Sequence, residues 1–153
     1  MATGETFYVF NVHLENGNSE TRKNQANKLN DLVSQIAGET PYVICGDFNI
    51  SSNPNDGDDN DKATLSTLYG AYDNTRLVAD LTETHATFIN NSNEGKHFGV
   101  ADATVTPTSG IIIDYCFTSK NDFNVYSYDV IAEKQNGIYT SDHLPLVIKL
   151  SIR

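Results

Sequence analysis

Four polar groups interrupt or directly follow apolar segments of the chain, and their residue types suit metal binding and proton transfer. They are His13, the pair Asp47 and Asn49, Asp114, and the pair Asp142 and His143. Carboxylate and amide oxygens are the ligands that Mg²⁺ and Ca²⁺ prefer. A histidine oriented by a carboxylate can act as a general base or acid near neutral pH.

Each group, taken alone, also has a purely structural interpretation. Asp47 after Gly46 is typical of a turn, and a histidine such as His13 at a strand end is more often a hydrogen-bonded boundary residue than a catalyst. Asp142 could begin the final strand, and Asp114 could accept hydrogen bonds from buried backbone amides. Strand ends nevertheless collect reactive groups, because the sheet fixes each backbone while the loop leaves the side chain accessible.

The elements that must position these groups follow from the hydrophobic pattern. Residues 7–14 are rich in β-branched and aromatic types and predict a strand that delivers His13 at its end. Apolar residues recur at helical spacing over residues 20–37, and Gly38 is a plausible C-cap. The short apolar run 41–45 predicts a strand buried on both faces, which would complete a strand–helix–strand unit.

The remaining chain alternates polar loops with apolar segments. Residues 51–61 carry no apolar side chain and are interpreted as a loop, and residues 65–72 restore a helical period. The acidic stretch 56–61 lacks the ligand order of a calcium loop, so we interpret it as solvated, with a calcium-binding surface as the alternative. Further strands are predicted at residues 85–89, 111–117, 125–131 and 144–152, with a polar loop before residue 111.

Length and composition describe one ordinary globular domain over residues 1–153. The chain has 20 Asp and Glu against 10 Lys and Arg, a net charge of −10, and 39% apolar residues, which excludes disordered and collagen-like classes. No stretch approaches the roughly 20 consecutive apolar residues of a membrane span. An acidic surface repels phosphates, so any phosphate chemistry here would need a metal ion. Cys45 and Cys116 lie in apolar runs and are expected to be buried free thiols.

The order of the four groups and the local sequence around each of them resemble those of a known family. The strings NVHL at 11–14, GDFN at 46–49, IDY at 113–115 and SDHLP at 141–145 resemble, in that order, motifs of the endonuclease/exonuclease/phosphatase superfamily. The resemblance covers residues 7–150 and includes Arg22 and Gln25. It implies an α/β fold, with a mixed β-sheet and flanking helices as part of a four-layer α/β/β/α sandwich. It also implies a metal-dependent phosphoesterase that hydrolyses a phosphodiester or phosphomonoester.

The resemblance also implies roles for the individual residues. Asp47 would position or deprotonate the attacking water or assist the leaving group, and Asn49 would hold a phosphate oxygen. His143 would face the scissile phosphate, as base or as stabiliser of the transition state, and Asp114 would orient it through its other ring nitrogen. His13 would be a second histidine acting on the phosphate.

The implied cofactor is Mg²⁺, with Mn²⁺ or Ca²⁺ as alternatives. By the resemblance, Asp47, Asn49 and Asp142 would hold or adjoin this ion. Residues around Thr87 and Phe88, together with the loop 90–109, would shape the choice of phosphate-ester substrate. The class of that substrate and the cellular compartment are not predicted.

The chain resembles only the C-terminal half to two-thirds of the family domain. In the family an earlier segment contributes the glutamate that is the principal metal ligand and much of the opposing sheet, and no such segment precedes Phe7. We therefore expect weak or no activity from these residues alone. We also expect the inner faces of residues 42–45 and 111–117 to be covered, either by a second copy in a homodimer or by an N-terminal half. A non-catalytic binding or assembly module on the same scaffold is the alternative function.

Overall fold

The computed structural model describes residues 4–53, 55–82, 85–89, 110–133, 139 and 141–153. They form a mixed α/β structure with two mixed β-sheets and flanking helices, which confirms the predicted fold class. The strands are β1 (Tyr8–His13), β2 (Tyr42–Asp47), β3 (Asp73–Asn74), β4 (Leu81–Thr82), β5 (Asp114–Thr118), β6 (Phe123–Val130) and β7 (Leu146–Ile152). The helices are α1 (Ser19–Ala37), α2 (Asp59–Ala71) and α3 (Thr75–Val78).

The first sheet has the strand order β1-β2-β5-β3 and carries the candidate site at one edge of its strands. β1 is parallel to β2, so the strand–helix–strand unit is a crossover through α1. β5 runs antiparallel to β2. The C-terminal ends of β1 and β2 and the N-terminal end of β5 therefore meet on the same side of the sheet.

The second sheet, with the order β4-β6-β7, packs against the inner face of the first. Val43 on β2 and Cys116 on β5 contact a cluster of apolar residues from β6 and β7. The opposite face of the first sheet carries α1 and α2, whose Leu29, Val33 and Leu68 join one hydrophobic core with the sheet. Helices, first sheet and second sheet thus form three successive layers of the described structure.

Helix α1 begins and ends where its residue types predict. The Asn18 side chain accepts a hydrogen bond from the Thr21 N–H at 2.8 Å, which is the N-cap interaction. Gly38 adopts φ 57°, a conformation that favours glycine, and its N–H closes the last turn. None of the helices formed by the described residues has the length and apolar character needed to cross a bilayer.

The acidic stretch 56–61 is a solvated loop only in part. Residues 57–59 are exposed, and Asp58 caps α2 by accepting hydrogen bonds from the Asn60 and Asp61 N–H groups at 2.9 and 3.1 Å. Asp61 is only 7% exposed and binds the Arg22 guanidinium of α1 through two hydrogen bonds of 2.9 Å. The interpretation was wrong for Asp61, because this residue neutralises a buried arginine, and such a long-range contact is not visible in local polarity.

Residues 85–89 do not form a strand of their own. Phe88 instead makes isolated bridges to Ile111 on one side and His143 on the other. The predicted strand 111–117 begins only at Asp114, and the predicted strand 144–152 begins at Leu146. Phe88 thus links the segment before β5 to the segment before β7, beside the candidate site.

The Arg22–Asp61 pair gives a prediction about stability. Asp61→Leu should lower the free energy of unfolding by about 3–5 kcal/mol, because it leaves the Arg22 charge buried without a partner. Lys23 lies beside Arg22 on α1 and makes a partly exposed hydrogen bond of 3.3 Å to Asn60. Lys23→Met should therefore change the free energy of unfolding by less than about 1 kcal/mol. Urea denaturation measures both. Equal losses in the two variants would contradict a desolvated ion pair.

Candidate active site

The register between β2 and β5 places two carboxylates opposite each other. Phe48 N donates to Ile113 O at 2.9 Å and Ser119 N donates to Tyr42 O at 3.0 Å, which identifies these as hydrogen-bonded pairs. Pairs alternate along an antiparallel ladder, so Asp47 and Asp114, which are Cα partners, form a non-hydrogen-bonded pair. In such pairs the Cα atoms are about 4.5 Å apart and the side chains are close together.

Gly46 allows β1 to approach this carboxylate pair. A Cβ atom at Gly46 would lie 1.9 Å from the Val12 carbonyl oxygen, and Gly46 itself adopts φ 138°, so a side chain is not tolerated there. The close approach pairs His13 with Asp47. The His13 Nε2 atom lies 3.5 Å from Asp47 Oδ2, although the His13 side chain is 73% exposed.

His143 is held by Asp114 on the opposite side. The His143 Nδ1 atom lies 2.9 Å from Asp114 Oδ2 and 3.1 Å from Oδ1. Because a carboxylate can only accept, Nδ1 donates, and the Nε2 atom is available on the side of Asp47, 3.8 Å from its Oδ2. The Phe88 ring packs against the imidazole with ring centroids 4.9 Å apart and fixes its plane.

The surroundings of Asp47 make its carboxylate a stronger base than usual. Burial raises the pKa of Asp47, and the neighbouring Asp114 carboxylate acts in the same direction. The Asn49 N–H, which donates to Asp47 Oδ1 at 2.7 Å, and the imidazoles of His13 and His143 oppose this rise. Asp47 thus lies between two imidazoles with one oxygen, Oδ2, facing both.

The other predicted ligands, Asn49 and Asp142, each make a hydrogen bond within the protein through the side chain. The Asn49 side chain donates to Leu14 O at 2.8 Å, which ties the loop after β1 to the loop after β2. Asp142 accepts a 3.2 Å hydrogen bond from the Ser141 hydroxyl, and its carbonyl accepts from the Ile89 N–H at 2.8 Å. Their roles toward a phosphate or a metal remain predictions.

Three candidate ligands of two types come together in one group. Asp47, Asp114 and His143 each offer an atom within 4.8 Å of the others. Asp142, which the structure also describes, is not a member of this group. Mg²⁺ is commonly held by one or two carboxylates together with water and substrate phosphate oxygens, so the two facing carboxylates fit such an ion.

Thr87 is a positioning residue that the sequence did not identify, since it was assigned only to substrate choice. Its hydroxyl is fully buried and accepts from the Ile113 N–H at 3.1 Å and the Asp114 N–H at 3.0 Å. Its carbonyl accepts from the Leu144 N–H at 2.7 Å. One residue therefore fixes the backbone at both Asp114 and His143. No spacing pattern in the sequence marks such a threonine. The loop 90–109, which was also predicted to shape substrate choice, lies outside the described residues.

The loop after His13 is clamped by α1. Arg22 Nη1 donates to the Glu15 carbonyl at 2.7 Å, and Gln25 Oε1 accepts from the Glu15 N–H at 2.7 Å. Both backbone polar groups of Glu15 are thus bonded to side chains of the helix. Arg22 and Gln25, which belong to the family resemblance, hold the backbone that carries His13 to the site.

Comparisons with known proteins identify the family and the fold. A sequence model described as the Endonuclease/Exonuclease/phosphatase family matches residues 2–143. An endonuclease/exonuclease/phosphatase from Bacteroides vulgatus has a similar structure, with a TM-score of 0.72 and 23% identity over 99% of this chain and 52% of that chain. A functionally unknown conserved protein from Enterococcus faecalis V583 gives a TM-score of 0.74 at 20% identity, covering 95% and 50% of the two chains.

A mannosyl-6-phosphatase from Bacteroides thetaiotaomicron VPI-5482 is also similar, with a TM-score of 0.68 and 21% identity over 97% of this chain and 52% of that chain. At these identities the likeness is one of fold. The chain spans about half the length of the solved structures that it matches. No curated protein sequence matches it.

Thr87 provides the test of how the site is positioned. Thr87→Val keeps the shape of the side chain but leaves two buried N–H donors without an acceptor, so it should lower the free energy of unfolding by about 2–4 kcal/mol. Thr87→Ser keeps the acceptor and should recover most of that loss. Chemical denaturation of the three proteins measures the difference. Equal stability of the valine and serine variants would contradict the role of the hydroxyl.

Proposed function

This chain belongs to the endonuclease/exonuclease/phosphatase family, and on that premise we propose that it hydrolyses a phosphate ester with the help of a divalent metal ion. The observation that carries the proposal is the arrangement of His143 between two carboxylates. Asp114 binds its Nδ1 atom at 2.9 Å, and Asp47 lies 3.8 Å from its Nε2 atom. This geometry leaves one imidazole nitrogen and one carboxylate oxygen facing the same point.

The proton chemistry follows from the partners of each group. Asp47, whose Oδ2 atom faces both imidazoles, would take a proton from the attacking water. His143, with its Nδ1 proton held by Asp114, would also carry a proton on Nε2 when it donates to a phosphate oxygen, and it would stabilise the charge that develops there. His13 is mostly exposed, so its imidazole can turn toward a second phosphate oxygen.

A divalent ion suits both the substrate and the protein. When bound, Mg²⁺ or Mn²⁺ would neutralise charge on the phosphate oxygens, which allows a chain with net charge −10 to accept an anion. Asp47 is the residue that we propose to hold it. Asn49 and Asp142 remain proposed further ligands, because the Asn49 hydrogen bond uses its Nδ2 atom and the Asp142 hydrogen bond uses its Oδ1 atom.

The substrate class is a further proposal. The similar fold of a mannosyl-6-phosphatase supports a phosphomonoester of a small molecule as the first probe. The acidic surface makes duplex DNA an unfavourable substrate, because both partners are negative. The second candidate function is a non-catalytic binding or assembly module on the same scaffold.

We expect weak activity from these residues alone, because they correspond to about half the length of the solved structures that they match.

Hydrolysis of p-nitrophenyl phosphate and bis-p-nitrophenyl phosphate tests the proposal. We expect turnover with Mg²⁺ or Mn²⁺ that is abolished by EDTA, and a loss of roughly 10²–10⁴-fold in His143→Ala and Asp47→Ala. Asp31→Asn, an exposed acid on α1, is the matched control and should retain full rate. Turnover that survives both site variants would refute the assignment. Absence of turnover and of Mg²⁺ binding, together with tight binding of another ligand, would favour the binding module.

The chain's own second sheet covers much of the inner face of the first, where Val43 and Cys116 are buried. Cover of the remaining apolar surface by a second copy or by an N-terminal half stays a prediction. A groove of about 570 Å³ runs between the edge strands β1 and β7, lined by alternate residues of each, such as Val9 and Ile148. Light scattering, together with the binding of a hydrophobic dye, distinguishes a homodimer from a chain that needs an N-terminal half. A dimer without dye binding would support a second copy, and a dye-binding monomer would support an N-terminal half. A monomer that binds no dye would contradict both.

A further inference from the structure

The two cysteines of the chain are direct partners across the ladder that carries the candidate site. Cys45 on β2 pairs with Cys116 on β5, two residues before Asp47 and two residues after Asp114. The alternation that makes Asp47 and Asp114 a non-hydrogen-bonded pair places the cysteines in the next such pair. Both thiols are free, and both side chains lie on the inner face of the first sheet.

This pairing meets the geometric demands of a disulfide. Partners in a non-hydrogen-bonded antiparallel pair have Cα atoms about 4.5 Å apart and side chains on one face. A disulfide spans Cα atoms about 4.4–6.8 Å apart, so no shift of strand register is required. We propose that Cys45 and Cys116 form a reversible cross-strand disulfide, a modification site directly beneath the carboxylate pair.

The groove gives a small oxidant access to the pair. Cys45 is half-buried and Cys116 is 4% exposed, and both line the groove of about 570 Å³ between β1 and β7. The co-reactant is a low-molecular-weight disulfide such as oxidised glutathione. The Cys45 sulfur attacks it, forms a mixed disulfide and releases one glutathione thiol. The Cys116 sulfur then attacks Cys45, forms the internal disulfide and releases the second thiol.

The disulfide would stabilise the β2–β5 strand pair, which carries the candidate site. It would close a loop of about 70 residues and fix the β2–β5 register covalently. A rise in Tm of roughly 5–10 °C is expected for a closed loop of this length in a domain of this size. The inference does not depend on the proposed hydrolase activity, because it rests only on strand register and access.

Oxidised glutathione provides the direct test on the 153-residue chain. Burial raises the pKa of both thiols, so the incubation is long and mildly alkaline. We expect intact-mass measurement to show the loss of two hydrogens without a glutathione adduct, and peptide mapping to join the segments around Cys45 and Cys116. Dithiothreitol should reverse both changes and the rise in Tm.

Cys116→Ser is the matched control, because it keeps Cys45 in the groove without its partner. It should accumulate a glutathione adduct on Cys45 and show no internal crosslink. Failure of the native chain to form the internal disulfide, with either oxidised glutathione or the smaller oxidant diamide, would overturn the proposal. Crosslinking only between separate chains would overturn it as well.

Discussion

The antiparallel register between β2 and β5 is the constraint on which the candidate site depends. It makes Asp47 and Asp114 direct partners in a non-hydrogen-bonded pair, where side chains approach most closely. Two like charges at that separation repel each other unless a cation or an imidazole lies beside them. His143 takes that position at Asp114, with its Nδ1 atom 2.9 Å from the carboxylate, and Asp47 is left as the group with a raised pKa.

The rest of the structure holds other chain segments against this pair. Gly46 permits β1 to come close enough for His13 to reach Asp47. Arg22, neutralised by Asp61, fixes the loop that follows His13. These contacts use backbone carbonyls and buried charges that are far from the site in sequence, so the site is stable only as part of the whole fold.

Much of this site could be predicted from the sequence, because its residues stand at strand ends in short recognisable strings. His13, Asp47, Asp114 and His143 were all identified in this way, and the structure brings these four together. Thr87 was assigned only to substrate choice, because a buried hydroxyl that accepts from two backbone amides depends on chain segments that meet only after folding.

Local polarity does not predict burial where long-range pairing decides the structure. The polar surroundings of Asp61 in the sequence predict an exposed side chain, yet it lies buried against Arg22, 39 residues earlier. The predicted loop 51–61 ends at Asp58, because helix α2, which Asp58 caps, begins at Asp59. Helix α1 was predicted to within one residue, because its apolar period and its glycine cap are local features.

The central claim is that the β2–β5 register holds His143 as a donor to Asp114, with its Nε2 atom free for phosphate chemistry. Long-range ¹H–¹⁵N NMR of the histidine rings measures this directly. We expect the Nδ1 atom of His143 to carry a proton that it donates to Asp114, and we expect this preference to be lost in Asp114→Ala. A His143 ring protonated on Nε2 instead, or one unaffected by Asp114→Ala, would contradict it.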